Sequence, residues 1–298
     1  MSKGVIKKKI VSASIKGALE NSFLPSLEKE WLLACLLKKP REFILSHPEK
    51  SISKLILNKF KKLDHQRRQG WPLAYLTGQQ EFFGLDFIVN RHVLIPRPET
   101  EMLVEEICQE ARQAKSKSII VDLGTGSGAI IISTVKELIF PNTKNSGSHF
   151  PNLKFLAIDI SPAALLIAKK NAQRHKVLKK INFKQSDLLE YFLNKLNKQQ
   201  IIVAANLPYL TPQQIKNSPS ISHEPRLALD GGYDGLKYYR QLLDQLTKIS
   251  YKTAIIFMEI DPSQTIGIKA LINQFFKEFS LKIIKDLSGQ ERLIRLKI

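Results

Sequence analysis

The sequence predicts an α/β protein whose larger part is a doubly wound, mostly parallel sheet of seven strands. From Pro98 onward, apolar β-branched runs of strand length alternate with stretches of helical apolar spacing. The first three of these strands are separated by helices, which is typical of βαβ units in a parallel sheet covered on both faces. Residues 1–78 instead show helical spacing and few β-branched alternations, so a small all-helical domain should precede the sheet.

The elements of the sheet domain follow from the same alternation. The predicted order is helix PETEMLVEEICQEARQA, strand SIIVDLG, helix GAIIISTVKELI, strand KFLAID, helix SPAALLIAKKNAQRH, strand INFKQSD and strand IIVAAN. After a loop over 207–235 we expect a helix near 236–249, the strand TAIIFMEI, another helix and two terminal strands. Residues 141–152, rich in Asn, Ser, Pro and Gly, predict a surface insertion.

A β-hairpin should join the two parts of the chain. The stretch EFFGLDFIVNRHVLI is aromatic and β-branched with a glycine near its middle. We therefore predict three regions: a helical substrate-docking domain over 1–78, a hairpin linker over 79–97 and the sheet domain over 98–298. A chain of 298 residues with 43% hydrophobic composition can build cores for both domains.

The composition argues against several functional classes. No apolar run approaches the roughly 20 residues of a membrane span, and MSKGVIKKKI lacks the apolar core of a secretory signal. We therefore expect a cytoplasmic protein without membrane contact. Cys35 and Cys108 form no CxxC pair and the six histidines are scattered, so we expect no metal site.

The net charge of +19 favours polyanionic partners, RNA above all. Lysines outnumber arginines by 35 to 11, however, and a general drift toward lysine produces such a charge without a binding stripe. Residues 1–78 hold 16 basic against 6 acidic residues, an excess of +10. The helical domain is thus a candidate docking face, and contact with RNA or the ribosome stays open.

A glycine-rich turn follows the first parallel strand. The stretch VDLGTGSGAI places Gly124, Gly126 and Gly128 between that strand and its helix. Ligands of doubly wound sheets bind beyond the carboxyl ends of the strands, where glycines let them approach the backbone. Because the stretch also satisfies GxGxxG/A, a dinucleotide site is an alternative. Asp159, which ends the second strand, suits ribose hydroxyls in either case.

Polar groups converge here from four consecutive strand ends. Asp122 precedes the glycines, Ser186-Asp187 ends the third strand and NLPY follows the fourth. This arrangement resembles class I S-adenosylmethionine-dependent methyltransferases, in which the glycine loop lies under the methionine moiety, the acid after the second strand holds the ribose and the end of the third strand contacts adenine. The resemblance implies S-adenosylmethionine as cofactor, bound by Gly124, Thr125, Gly126, Ser127, Gly128, Asp159, Asp187, Leu188 and Asn206.

The NLPY stretch suits a planar NH₂ group. The lone pair of such a nitrogen is delocalised, so acceptors for its two N–H groups help to aim it and to stabilise developing charge. Asn206 Oδ1 and a backbone carbonyl are such acceptors, and Tyr209 offers a flat face. Pro208 has a fixed φ and biases Leu207 toward an extended backbone. We predict Asn206, Pro208 and Tyr209 as catalytic and Asn206 to Tyr209 as substrate-binding residues.

Several stretches resemble release factor glutamine methyltransferases. They are GWPLAYLTGQQEFFGLDFIVNRHVLIPRPETE, VDLGTGSGAIII, AIDISPAALLIAKKNA and HEPRLALDGGYDGL, and REFILSHPE fits the helical N-terminal domain of that family. The resemblance implies N5-methylation of the glutamine in the Gly-Gly-Gln motif of peptide chain release factors. These factors would be the partners.

Two residues depart from that family. It usually has proline where Leu207 stands, and often an aromatic residue beside adenine where Leu188 stands. Since leucine also supplies a carbonyl, we expect the chemistry to survive and Leu207→Pro to hold or improve turnover by preorganisation. NLPY also occurs in ribosomal RNA adenine dimethylases, which are one alternative. The other is a catalytically inactive RNA- or ribosome-binding module.

Overall fold

The computed structural model describes residues 13–114, 117–140, 153–192 and 199–298. The chain divides between Gly78 and Gln79 into two compact units. The insertion predicted at 141–152 lies outside the described residues. No helix in the described ranges has the length and apolarity that crossing a membrane requires.

The first unit is a small bundle of helices. These are α1 (Ile15–Glu20), α2 (Ser26–Leu37), α3 (Arg41–Ser46), α4 (Lys54–Arg68) and α5 (Leu73–Thr77). Its core contains Leu32, Leu33 and Phe60, all at most 2% exposed. Two-residue strands β1 (Ala13–Ser14) and β2 (Ser51–Ile52) also pair here. The sequence did not predict this pairing because two residues are too short to show an alternation.

The second unit opens with the predicted hairpin, β3 (Gln79–Phe82) and β4 (Leu85–Ile88). Phe83 and Gly84 connect the strands with φ of 53° and 68°, the positive values of a tight two-residue hairpin turn. Phe82 and Phe87 are buried with residues of the next helix. The hairpin therefore belongs to the second unit, while the three-region division at 78 and 97 stays a prediction.

The rest of the second unit is a sheet with flanking helices. Its strands are β5 (Ser118–Leu123), β6 (Leu153–Asp159), β7 (Ile181–Gln185), β8 (Gln200–Ala205), β9 (Thr253–Glu259), β10 (Ser280–Lys285) and β11 (Glu291–Lys297). Its helices are α6 (Glu101–Gln113), α7 (Ala129–Ile139), α8 (Pro162–Arg174), α9 (Pro212–Lys216), α10 (Lys237–Thr247) and α11 (Thr265–Phe275).

The seven strands have the order β7-β6-β5-β8-β9-β11-β10, and all neighbours are parallel except the pairs that β11 makes. The predicted fold class is thus confirmed. From β5 the chain adds β6 and then β7 on one side of that strand. It then crosses over and adds β8 on the opposite side of β5. This reversal creates the switch point at which doubly wound sheets bind ligands.

Both faces of the sheet are covered by helices. Val121 and Val203 lie in one buried cluster with residues of α10 and α11, and Ile120 and Ile202 lie in another with residues of α6 and α7. Alternate residues of a strand point to opposite faces, so near-continuous apolar strands are what such a sheet requires. Leu123, which ends β5, pairs in register with Ile158 of β6 and with Ala205 of β8. The carboxyl ends of these three strands therefore meet at one edge of the sheet.

Candidate active site

The glycine turn between β5 and α7 forms the floor of a cavity of about 210 Å³. Gly124 and Gly126 line it, with φ of 66° and 55°. Apart from its chain neighbours, the nearest atom to a Cβ added at Gly126 would be the Gly124 carbonyl oxygen, at 3.8 Å. A ligand in the cavity can therefore approach this backbone closely.

Buried polar contacts hold the turn in place. Thr125 Oγ1 donates a hydrogen bond to Asp122 Oδ2 at 2.6 Å, and the Thr125 N–H donates to the carbonyl of Ile158 on β6 at 2.9 Å. Asp122 is fully buried, and its Oδ1 has no hydrogen bond of normal geometry within the described residues. Burial raises the pKa of Asp122 to about 7, although the hydrogen bond from Thr125 opposes the shift. The Asp122 carboxyl therefore holds the glycine turn in place through its hydrogen bond with Thr125.

The end of the glycine turn is used for packing. A Cβ added at Gly128 would meet Ile132 at 2.9 Å and Ala168 at 3.2 Å, so glycine lets α7 and α8 approach. Asn171 of α8 donates from Nδ2 to the Ser127 carbonyl at 2.8 Å. Thr125, Ser127 and Gly128 do not line the cavity, and their assignment to the cofactor stays a prediction.

Asn171 also connects the hairpin to this turn. Its Oδ1 accepts from the Ile88 N–H at 2.7 Å, and its Nδ2 donates to the Ile88 carbonyl at 3.0 Å. Asn171 is completely buried, so these contacts satisfy a polar group that burial would otherwise penalise. One side chain thereby joins β4, α8 and the glycine turn.

Asp159 lies at the end of β6 and lines the cavity, as the sequence predicted. Its Oδ2 accepts from the Gly126 N–H and its Oδ1 from the Ser161 N–H, both at 2.8 Å. Burial raises the pKa of Asp159, against the effect of these backbone donors. A carboxylate has about four lone-pair positions, so this one can fix the glycine turn and still accept hydrogen bonds from a ligand.

Asp187 and Leu188, which follow β7, also line the cavity. Leu188 has φ of 49°, a left-handed conformation that is strained for a leucine. Gln245 of α10 spans it, donating to the Asp187 carbonyl at 3.3 Å and accepting from the Leu189 N–H at 2.7 Å. Gln241 donates to Asp187 Oδ2 at 2.7 Å. Helix α10 therefore holds this turn.

Tyr238 lines the same cavity and was missed in the sequence. It precedes Gln241 by one helical turn, so it lies on the side of α10 that faces the Asp187 turn. That spacing is the signal that could have found it. Tyr238 brings an aromatic side chain to the same cavity that Leu188 lines after β7, the third strand of the sheet along the chain.

The NLPY loop separates the first cavity from a second one of about 150 Å³. Asn206 and Leu207 line both cavities, Pro208 lines only the first and Tyr209 only the second. The structure thus brings the four predicted residues together but places the Tyr209 ring on the far side from the glycine turn. The second cavity is mainly apolar, with Leu94, Arg97, Leu210, Ile221, Ala228, Leu229 and Glu259 as its other lining residues.

Two residues behind the loop were missed in the sequence. Asn206 Nδ2 donates to Thr100 Oγ1 at 3.0 Å, which leaves Asn206 Oδ1 as the acceptor of that amide. The Tyr209 hydroxyl donates to Glu259 Oε1 at 3.3 Å. Glu259 is 3% exposed, and burial raises its pKa to about 7 against the hydrogen bonds of Thr100 and Tyr209. A glutamate ending the apolar strand TAIIFME is the signal that could have indicated it.

The backbone of the loop is fixed from outside. Gln264 Nε2 donates to the Tyr209 carbonyl at 2.7 Å. A Cβ added at Gly231 would lie 2.6 Å from the Pro208 carbonyl oxygen and 2.7 Å from Tyr209 Cα, so only glycine fits. The Gly231 N–H also donates to the Leu210 carbonyl at 2.8 Å. This explains Gly231 of the DGGYDGL stretch by close backbone contact.

Glu224 is buried beside Arg97, which lines the second cavity. Its side chain is 1% exposed, accepts from the Ile95 N–H at 3.1 Å and pairs with the Arg97 guanidinium. Removing one partner of such a buried pair leaves an uncompensated charge. Glu224 therefore fixes the segment before α6 against the loop that follows NLPY.

Leu207 has a structural role that the sequence did not show. It is 3% exposed and belongs to the buried cluster on one face of the sheet. Burial raises the pKa of Tyr239 against a hydrogen bond from the Leu207 backbone, and the Tyr239 phenol donates to the Glu259 carbonyl. Proline has no N–H to give and a smaller side chain. A proline at 207 should therefore cost stability, while the expectation that Leu207→Pro holds or improves turnover stays a prediction.

Comparisons with known proteins agree with this architecture. A family model described as the PrmC N-terminal domain matches residues 13–78, and one described as a methyltransferase domain matches residues 114–253. A release factor glutamine methyltransferase of Bacillus subtilis is 34% identical over 259 residues, covering 85% of each chain. One of Moorella thermoacetica is 35% identical over 271 residues, covering 90% of this chain and 89% of the relative.

Among solved structures, the hMettl16 catalytic domain in complex with the MAT2A 3′UTR hairpin 1 is similar, with a TM-score of 0.52. The alignment covers 89% of this chain and 90% of that one at 12% identity. At this identity the likeness concerns the fold alone.

Proposed function

The chain belongs to the release factor glutamine methyltransferases, and from this membership and the geometry of the two cavities we propose how it performs the family's reaction. It transfers a methyl group from S-adenosylmethionine to the side-chain amide nitrogen, N5, of the glutamine in the Gly-Gly-Gln motif of a peptide chain release factor. The observation that carries the proposed site is that Asn206 and Leu207 line both cavities. Donor and acceptor would meet there.

The residues of the first cavity fit S-adenosylmethionine. The unused lone pairs of Asp159 suit the ribose hydroxyls, and the open backbone at Gly126 suits a close approach of the methionine moiety. The turn at Asp187 and Leu188, with Tyr238 beside it, offers an adenine a polar edge and an aromatic face. When bound, the cofactor supplies an electrophilic methyl group on its sulfonium.

The second cavity suits the glutamine side chain. Leu94 and Leu210 give its two methylene groups apolar contacts. Asn206 Oδ1 and a backbone carbonyl of the loop accept hydrogen bonds from the amide N–H groups, and Tyr209 packs against the planar amide. These acceptors aim a poorly nucleophilic nitrogen and stabilise the positive charge that develops on it. The excess proton leaves for water after transfer.

Incubation with labelled S-adenosylmethionine tests this function. We expect label in a release factor, and none in the same factor whose Gly-Gly-Gln glutamine is replaced by alanine. Separate incubation with ribosomal RNA tests the adenine alternative, which predicts label in the RNA. Binding of the release factor without label in either substrate would support the inactive module.

We further propose that the basic helical unit steers its partner into contact. Helix α4 carries exposed lysines at 54, 59, 61 and 62, within a domain whose excess charge is +10. Steering by such a field raises the association rate constant at low ionic strength. That constant should fall with salt for the release factor, and less steeply after the four lysines are replaced by alanine. A slope confined to ribosomal RNA would instead indicate contact with the ribosome.

A further inference from the structure

Both ends of the NLPY loop connect to one buried carboxyl group. The Tyr209 hydroxyl donates directly to Glu259 Oε1. At the other end, Asn206 Nδ2 donates to Thr100 Oγ1. A hydrogen bond from the Thr100 hydroxyl in turn lowers the pKa of the Glu259 carboxyl, against the larger effect of burial. These residues come from β8, the turn before α6 and the end of β9, which are far apart in the sequence.

The directions of these hydrogen bonds determine how the Asn206 amide is turned. Thr100 Oγ1 accepts from Asn206, which leaves the Thr100 hydrogen for another acceptor, and the Glu259 carboxyl, whose pKa this hydroxyl lowers, is one. A hydroxyl whose hydrogen is engaged in this way presents lone pairs to Asn206. It therefore selects the NH₂ side of the amide and leaves Oδ1 to face a substrate nitrogen.

The buried position of Glu259 is costly for a residue with only a packing role. Its Oε2 has no hydrogen bond of normal geometry within the described residues, and an apolar residue of similar volume would remove the desolvation cost. Thr100 is likewise 4% exposed. The burial of a carboxyl and a hydroxyl at this position is explained if the two groups orient polar side chains at the cavity wall.

We propose that Thr100 and Glu259 are positioning residues for methyl transfer, which hold Asn206 Oδ1 toward the acceptor nitrogen and hold Tyr209 at the other end of the loop. This inference rests on the proposed function. Neither residue touches the cofactor cavity, so their effect should fall on the rate of transfer rather than on cofactor binding.

The test is single-turnover methyl transfer to a release factor at saturating cofactor. Thr100→Val keeps the side-chain shape but removes the hydroxyl, and should lower the rate constant by about 10- to 100-fold. Thr100→Ser should recover most of the rate. The matched control is Thr134→Val, which should transfer at the wild-type rate, because it removes a buried hydroxyl whose hydrogen bond among the described residues stays within α7. Affinity for S-adenosylhomocysteine and the melting temperature of Thr100→Val should stay close to those of the control.

A double-mutant cycle identifies the route of the effect. If Thr100 acts through the amide, Thr100→Val should change the rate by less than threefold in an Asn206→Ala background. Glu259→Gln should likewise slow transfer, and its effect should be less than additive with Thr100→Val. Equal rates for Thr100→Val and Thr134→Val, or full additivity with Asn206→Ala, would overturn the positioning role. Absence of transfer by the wild-type protein would instead overturn the proposed function, so the two failures are distinct.

Discussion

Asp159 joins the glycine turn to the cofactor cavity, and Asp159→Asn tests both contacts with a minimal change of shape. The variant keeps one carbonyl acceptor, but its NH₂ group must face either the Gly126 or the Ser161 N–H, each 2.8 Å from an oxygen of the native carboxylate. Besides disturbing the turn, the variant loses one charge-assisted hydrogen bond to the ribose, which is worth about 1.5–3 kcal/mol. Since 1.4 kcal/mol corresponds to a factor of ten, affinity for the cofactor should fall about 10- to 150-fold.

Calorimetric titration with S-adenosylhomocysteine measures this change. Asp86→Asn is the control, because it removes the charge of a carboxylate whose side chain is 62% exposed in the same unit. Its affinity should match that of the wild type. If Asp159→Asn also binds S-adenosylhomocysteine with wild-type affinity, the assignment of Asp159 to the ribose is wrong.

Three further substitutions test other parts of the structure. Leu207→Pro should lower the free energy of unfolding by about 1–3 kcal/mol in denaturant titration, because it removes a hydrogen bond to Tyr239 and buried apolar volume; equal stability would contradict this. Burial raises the pKa of Asp122 from 3.8 to about 7, so its contribution to stability is full below about pH 4 and is lost as the pH rises through 7. The stability of Asp122→Asn should not decline in this way. If the melting temperatures of variant and wild type change equally between pH 5 and 8, this prediction is wrong. Tyr238→Ala should weaken S-adenosylhomocysteine binding by about 2- to 10-fold, whereas Tyr233→Ala, at a residue 96% exposed, should not.

Much of the fold was predictable because local patterns carry it. The alternation of strands and helices identifies the sheet, and polar residues that end apolar strands identify the cavity edge. Asp159, Asp187 and Asn206 were found in this way, since parallel strands place their carboxyl ends together.

Contacts between distant segments were not predictable from one sequence. Glu224 lies over 120 residues after the segment that it fixes, and Thr100 lies 106 residues before Asn206. No local pattern shows that a hydroxyl and an amide will meet over such a separation. The contacts of Leu207 were not predictable for the same reason, because Tyr239 belongs to α10.

The most direct test of the account is single-turnover methyl transfer to a release factor by Asn206→Ala, with Asn273→Ala, an exposed amide on α11, as control. Asn206 lines both cavities and is the proposed acceptor, and loss of one such preorganised group should lower the rate constant about 10²- to 10³-fold. Affinity for S-adenosylhomocysteine should change little. Transfer by Asn206→Ala at the rate of the wild type and of Asn273→Ala would contradict the proposed site.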